Sequence, residues 1–230
     1  MISYDDWRAI SLTFELALLS TLILIIIGTP ISWWLSQTKL RFKFLVETLV
    51  ALPLVLPPTV LGFYLLIALG PDGVVGKTVN ALGGPNLIFS FSGLVIGSVI
   101  YSMPFVVQPL HHAFSGIDKR AGETAAIFGY SPLKRFFHVL LPLAKGGYFS
   151  AFILGFAHTL GEFGIVLMIG GNIPGQTQVA SISIYNYVET LDYESAHTLS
   201  ALLLAISFTL LMLIYACLLY TSDAADDPTC

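Results

Sequence analysis

Charge is scarce in this chain: 10% of its 230 residues are Asp, Glu, Lys or Arg, and 56% are apolar. A soluble domain carries roughly 25% charged residues, so too little polar surface is available for a dissolved monomer. Ten basic against fourteen acidic residues, with no basic run, exclude nucleic acid as a partner. Cysteine is nearly missing as well. Cys217 and Cys230 form neither a metal nor a disulfide pattern, and Cys217, inside an apolar stretch, reads as a small buried hydrophobe. The opening Met-Ile-Ser-Tyr-Asp-Asp-Trp has no basic n-region, and the apolar run behind it is too long for a secretory signal. That run is expected to stay in the membrane. No Walker-type glycine loop is found, so any ATP hydrolysis belongs to a partner.

Long hydrophobic runs are abundant. A helix crossing a bilayer needs about 20 mostly apolar residues. Residues 16–35 supply one without a charge, 48–70 a second, 87–110 a third, about 147–169 a fourth interrupted by Glu162, and 198 to about 219 the last. The apolar piece 182–188 is too short to cross and reads as interfacial or re-entrant. The expected fold is an all-α integral membrane protein with five transmembrane helices, its membrane domain covering residues 9–219.

Basic residues near helix ends mark the cytoplasmic side. Eight of the ten (Lys39, Arg41, Lys43, Lys119, Arg120, Lys134, Arg135 and Lys145) fall between spans one and two or three and four. Only Arg8 and Lys77 fall opposite, where Asp5, Asp6, Asp72, Glu189, Asp192 and Glu194 collect. The N-terminus is therefore expected outside, with the loop 115–145 and the C-terminus in the cytoplasm. Pro53, Pro57 and Pro58 interrupt span two, and Pro104 and Pro109 span three. Each removes a backbone donor and kinks its helix, either for packing alone or to bend around a solute path.

The loop 115–145 parses as two short helices. Ser115 is a candidate cap for the first, with Asp118 completing a capping box, and Ile117, Ala121, Ala125 and Phe128 form an apolar stripe. Gly129 ends it. Ser131 caps the second, Pro132 takes its first position, Leu133, Phe136, Phe137 and Leu140 form its stripe, and Pro142 is expected to end it. Two readings stand on these residues alone. One is a pair of membrane-surface helices that merely links two spans. The other is a coupling element, whose small residues Ala121, Gly122, Ala125 and Ala126 lie in another protein's groove and whose displacement rotates span four.

Glu123, Thr124 and Ala125, followed by Ala126, Gly129, Leu141 and Pro142, resemble the EAA loop of binding-protein-dependent ABC importer permeases. Thr124 replaces the usual first alanine and Val139 a common isoleucine. Ala51-Leu-Pro-Leu-Val-Leu-Pro-Pro-Thr-Val-Leu-Gly62, and Leu160-Gly-Glu-Phe-Gly164 with Gly171-Asn-Ile-Pro-Gly-Gln-Thr177, are similar to the molybdate-importer branch of that family, the ModB type, over about residues 9–216. Sulfate/thiosulfate and tungstate permeases share the loop but match these two stretches less well. The resemblance implies a MetI-like architecture in the bacterial inner membrane, and because five helices from one chain enclose little space, two copies of the chain are expected around a shared path. It also implies cytoplasmic ABC ATPase subunits, which hold ATP and magnesium, docked on residues 123–126, 129, 141 and 142. An extracytoplasmic oxyanion-binding protein would dock opposite, and no cofactor would sit in this chain.

A tight site for a tetrahedral dianion needs Arg, Lys or a helix N-terminus, and no Lys or Arg lies inside any expected span. This subunit is therefore expected to hold its substrate weakly, in a hydrated path of hydroxyls and amides such as Ser20, Thr59, Ser102 and Thr159. Glu162 stands out, because intramembrane carboxylates are rare and often functional. It reads either as half of a brace with His158, four residues earlier, or as part of a gate in which Phe163 narrows the path. Thr59, Glu162 and Phe163 are the path candidates. His111 and His112 point to different sides of a helix, which disfavours a metal pair; neither a metal nor a catalytic residue is expected. Residues 220–230, acidic where a basic end is expected, read as a non-native or disordered tail. A secondary transporter working alone predicts inverted repeats and intramembrane charges, and a membrane enzyme predicts clustered His, Asp or Glu. The sequence shows neither pattern.

Overall fold

Ser3 starts the first helix with a reciprocal cap. Its hydroxyl accepts from the Asp6 amide at 3.1 Å, and its own amide donates to the Asp6 carboxylate at 2.8 Å. From there α1 runs Tyr4–Gln37, 34 residues or about 51 Å at 1.5 Å per residue. The computed structural model describes residues 2–223, and every regular element in them is helical. After α1 come α2 (Lys43–Val55), α3 (Pro58–Leu69), α4 (Val74–Ala81) and α5 (Phe91–Gly116). The loop elements α6 (Lys119–Ile127), α7 (Pro132–Arg135), a π turn (Phe136–Leu140) and α8 (Leu141–Leu143) follow. The chain continues with α9 (Lys145–Leu160), α10 (Gly164–Gly170), α11 (Ala180–Glu189) and α12 (Tyr193–Asp223).

The core is built where α1, α5 and α9 lie side by side. Leu24, Val106, Leu110, Phe114 and Ala151 are buried together at one end of this trio. At the other end Leu16, Leu94, Ile165 and Ile169 join α10 to α1 and α5. Ile10, Ala180 and Leu199 tie α11 and α12 to the start of α1. The periphery is apolar too: Ile26, Leu49, Val55, Leu204 and Phe208 are exposed, which suits a chain whose solvent is lipid.

Among the described residues, four stretches are long and apolar enough to cross a bilayer: Tyr4–Gln37, Pro58–Ala81, Phe91–Gly116 and Tyr193–Leu213. A fifth is obtained if Pro132–Leu143 and Lys145–Leu160, bent by 70°, count as one. Four of the expected spans need correcting. Span two is two helices, because Pro57 and Pro58 withhold consecutive donors and the residue before a proline disfavours α geometry; Leu56 is extended at φ −75°, ψ 134°. Span four also breaks, at residues 161–163. Its α9 portion has 16 residues, about 24 Å, short of the roughly 30 Å hydrocarbon core. Span three starts and ends later than expected, and span five begins at Tyr193, where Asp192 accepts from the Ser195 amide at 3.1 Å.

The helices of the loop differ in detail. Asp118, not Ser115, caps α6 by accepting from the Arg120 amide at 3.0 Å, and Ser115 stays inside α5. Ser131 does cap α7, accepting from the Lys134 amide at 3.3 Å, with Pro132 at the first position. Gly129 ends α6 with φ +78°, a left-handed conformation that glycine adopts without penalty. Pro142 does not end the second helix. It lies within α8, preceded by a π turn in which the Leu141 amide donates to the Phe136 carbonyl. The helical part of the expected tail extends to Asp223; residues 224–230 of that tail, Cys230 among them, lie outside the described residues.

Candidate functional site

The break in span four is organised around one carboxyl group. Glu162 is 4% exposed and follows the last turn of α9, whose Thr159 carbonyl accepts its amide at 3.2 Å. Both carboxyl oxygens turn toward α5. Ser98 Oγ donates to Oε2 at 2.5 Å and Ser102 Oγ donates to Oε1 at 2.6 Å. With its proton given to Glu162, Ser102 keeps lone pairs for Thr159 Oγ1 at 2.9 Å and His158 Nδ1 at 2.8 Å. His158 Nδ1 is 3.6 Å from Glu162 Oε1, and its ring stacks on Phe105 at 3.8 Å between centroids and meets Tyr101 at 4.9 Å. On the far side, Ser181 Oγ of α11 donates to the Glu162 carbonyl at 2.6 Å. Three helices are thus pinned to one residue where the backbone leaves helical geometry.

Phe163, next in sequence, is half-buried and packs against Tyr185 of α11 at 5.0 Å. Thr59 is exposed in the first turn of α3 and takes no part in this cluster. Its neighbour Pro58 touches the site: a Cβ added to Gly164 would stand 3.0 Å from Pro58 Cβ, and one added to Gly62 would stand 2.8 Å from Met168 Cβ. The two stretches 51–62 and 160–164 are therefore docked on each other through glycines. The segment 171–177 closes beside them. Gly171 (φ +66°) and Asn172 (φ +57°) turn the chain left-handed, Thr177 Oγ1 donates to the Gly170 carbonyl at 2.6 Å, and Asn172 and Asn186 exchange bonds of 2.9 and 3.1 Å.

Of the hydroxyls expected along a hydrated path, Ser20, Ser102 and Thr159 are buried at 0%, 0% and 2% exposure. Within one chain they are enclosed by protein rather than facing water. Ser98 and Ser181 were missed. The signal for Ser98 was present, since Ser98 and Ser102 are four apart and share a helix face.

The loop forms a second candidate site. Ala125 is buried at 8%, whereas Ile127, Phe128, Leu133 and Phe137 are 85%, 77%, 70% and 54% exposed. The expected stripes therefore split. Ile117, Ala121, Ala125, Phe136 and Leu140 turn inward, while Phe128, Leu133 and Phe137 are exposed. Glu123, Thr124, Ala126 and Gly129 are exposed, Leu141 is half-buried and Pro142 is exposed. A groove of about 420 Å³ runs along α6, lined by Ala121, Thr124, Ala125, Phe128, Tyr130 and Val139. Lys134 Nζ stands 4.3 Å over the Tyr130 ring at its edge. Among the described residues, no group of three or more His, Cys, Asp or Glu could hold a metal ion.

A bundle of crossing helices with a broken, internally pinned span and a helical loop between two spans is the architecture of a polytopic membrane protein. The chain belongs to the family of binding-protein-dependent transport system inner membrane components, whose model matches residues 17–224; it is a multi-pass inner-membrane permease. It is 51% identical over 215 residues to the molybdenum transport system permease protein ModB of Azotobacter vinelandii, covering 94% of this chain and 95% of that protein. It is 34% identical over 206 residues to ModB of Haemophilus influenzae, covering 90% of each. Among solved structures, a bacterial ABC transporter that imports the acidic polysaccharide alginate superposes with a TM-score of 0.78 at 17% identity. That likeness covers 94% of this chain and 79% of the other and concerns the fold.

Proposed function

We propose that this chain is the permease subunit of an ATP-driven importer of molybdate, working as two copies around a shared path, with an ATPase subunit gripping each 115–145 loop from the cytoplasm. The observation that carries this reading is the loop. It projects a cluster of exposed large apolar side chains (Ile127, Phe128, Leu133) beside a groove, on a helix of small residues. An apolar patch flanked by charge at the water-facing end of a membrane protein is a surface made for another protein. Glu123, Thr124, Ala125, Ala126, Gly129, Leu141 and Pro142 are the proposed contact set. The placement of eight basic residues at that end supports a cytoplasmic loop and an external N-terminus.

Passage of a dianion is supported by what the spans carry. The midsections of the bilayer-crossing helices bring no Lys or Arg to hold it, Arg8 and Lys77 lying near helix ends, and the carboxyl of Glu162, buried at the break, is satisfied by serines instead of facing an anion. Tight capture is left to an external binding protein. Thr59 and Phe163 flank the seam between α3 and the break, and there we place the gate. ATP binding would draw the loops together, and the pinned break would turn with α9 to expose the path outward.

The test is co-purification with the ATPase and molybdate uptake in vesicles. Deleting residues 123–129 is expected to abolish ATP-driven uptake while the chain still inserts. Uptake that survives this deletion, or a loop labelled by membrane-impermeant reagents from outside, would refute the reading.

A further inference from the structure

One face of α5 changes character from end to end. Leu94 and Ser98 on it are buried, at 1% and 0% exposure. Tyr101 and Phe105 are half-buried, and Gln108 and His112 are exposed. Each residue follows the last by three or four, which keeps all six on one side of the helix. The opposite side, with Val106, Leu110 and Phe114, is buried in the core. A carboxamide and an imidazole turned outward from a bilayer-crossing helix are costly in hydrocarbon but not in water. The open part of this face therefore borders water, and it widens toward the loop end of the helix.

A ring from α9 sits where the face opens. His158 stacks on Phe105 and meets Tyr101, and 20% of its side chain is exposed, against 1% for Glu162 behind it. Its two nitrogens differ. Nδ1 lies 2.8 Å from Ser102 Oγ. That hydroxyl has one proton, given to Glu162 Oε1 at 2.6 Å, so the hydrogen between Ser102 and His158 belongs to Nδ1. Nε2 has no hydrogen-bond partner among the described residues, yet it is not among the enclosed unpartnered atoms; it reaches the open side. With Nδ1 carrying its proton, neutral His158 presents a lone pair at Nε2. A second proton turns the same atom into a charged donor. The ionisable groups around the ring are Glu162, whose Oε1 is 3.6 Å from Nδ1, and the Tyr101 phenol.

We propose that His158, protonated at Nε2, is the group that holds the tetrahedral oxyanion during its passage, an inference that rests on the importer reading. It supplies one charge-assisted hydrogen bond at a depth where the spans bring no Lys or Arg, and Gln108 offers amide donors further along the same face. The Glu162 carboxylate balances the ring's charge from behind. The pair is neutral as a whole, so the hold is weak and the anion is released toward the loop end.

Asparagine and glutamine separate the two nitrogens, because the amide nitrogen of Asn reaches the place of Nδ1 and that of Gln the place of Nε2. Molybdate uptake is measured in vesicles that carry the chain with its ATPase and a saturated binding protein. His158→Asn keeps the bond to Ser102 and loses the outer donor; maximal uptake is expected to fall about tenfold, the effect of one charge-assisted hydrogen bond. His158→Gln keeps an uncharged outer donor and should retain more uptake than His158→Asn, although it loses the inner bond and unfolds more easily. The ratio of wild-type to His158→Gln uptake should fall as pH rises from about 6 to about 8 and Nε2 loses its proton. Unfolding midpoints identify any variant that misfolds, and His158→Asn, with the inner bond intact, carries the test. Wild-type uptake by a folded His158→Asn chain, or more uptake from His158→Asn than from His158→Gln, makes His158 a brace only and overturns the proposal. A wild-type transporter that moves no molybdate refutes the importer reading instead, and this inference falls with it.

Discussion

Three serines separate hydrogen bonding from burial as the source of this fold's stability. Ser20, Ser98 and Ser102 are each 0% exposed on bilayer-crossing helices, so serine-to-alanine changes the same atoms in the same kind of surroundings. Their partners differ. Ser102 Oγ has Glu162, His158 and Thr159 within 2.9 Å, Ser98 Oγ has only Glu162 Oε2, and Ser20 Oγ has no partner among the described residues. Neutral interhelical hydrogen bonds in membranes average only ~0.6 kcal/mol and reach ~1.7. A carboxyl acceptor raises a bond toward about 1.5–3 kcal/mol, and stranded partners add a further penalty. Ser102→Ala strands His158 Nδ1 and removes an acceptor from Thr159 besides weakening Glu162, so about 2–4 kcal/mol of destabilisation is expected. Ser98→Ala should cost about 1–2 kcal/mol. Ser20→Ala, which removes an unpaired polar atom, should fall within about 0.5 kcal/mol of neutral or stabilise. Reversible unfolding in mixed micelles, or steric trapping in bicelles, measures all three. If Ser102→Ala costs no more than Ser20→Ala, the Glu162 cluster does not hold the helices together, and its assignment as the pin of the broken span fails.

Two further outcomes follow from the same geometry. Gly62→Ala drives a Cβ to 2.8 Å from Met168 Cβ, close to the backbone and unable to swing away, whereas Gly146→Ala in α9 meets nothing within 4 Å. The first should destabilise by about 1–3 kcal/mol and the second stabilise by about 0.5–1 kcal/mol, read in the same unfolding assay; equal effects would remove the α3–α10 seam as a close contact. At the N-terminal end, Tyr187 Oη donates to Asp6 Oδ1 at 2.9 Å, and burial, then the Asp6 bond, holds the phenol above its ordinary 10.0. Because the folded value is raised, this latch is fully present below about pH 10 and is lost as pH climbs through the folded value. Tyr187→Phe should lower stability at neutral pH and flatten the decline in alkali, measured as unfolding midpoint against pH.

What could be read from the sequence was local or long. Runs of apolar residues gave away the crossing helices, and the Ser131–Pro132 start and Gly129 stop were legible because each acts through its own backbone. The breaks at residues 56–57 and 161–163 were blurred, since hydropathy averages over a window and does not register whether the helix inside it is continuous. Ser115 and Asp118 both satisfy the rule for a cap, and only the length of α5, which continues to Gly116, decides between them. The Glu162 cluster was half legible. His158 is four residues away and visible, but Ser98 and Ser102 are 64 and 60 residues distant, and no periodicity links positions on different helices. The resemblance of stretches 51–62 and 160–164 to relatives gave no hint that they touch; that contact is made by glycine and proline, whose small or rigid surfaces show only once the helices are packed.

The π turn at Phe136–Leu140 holds one residue more than the α-helix on either side would, and Pro142 just beyond it has no amide to restore the regular ladder. That spare residue is slack stored in the chain between α6 and α9. Drawing it into regular α geometry would re-phase everything downstream by about 100°, the angle between successive α-helical residues. Motion handed across the 70° elbow would then arrive as a step between two registers, all or nothing, in place of a graded flexing.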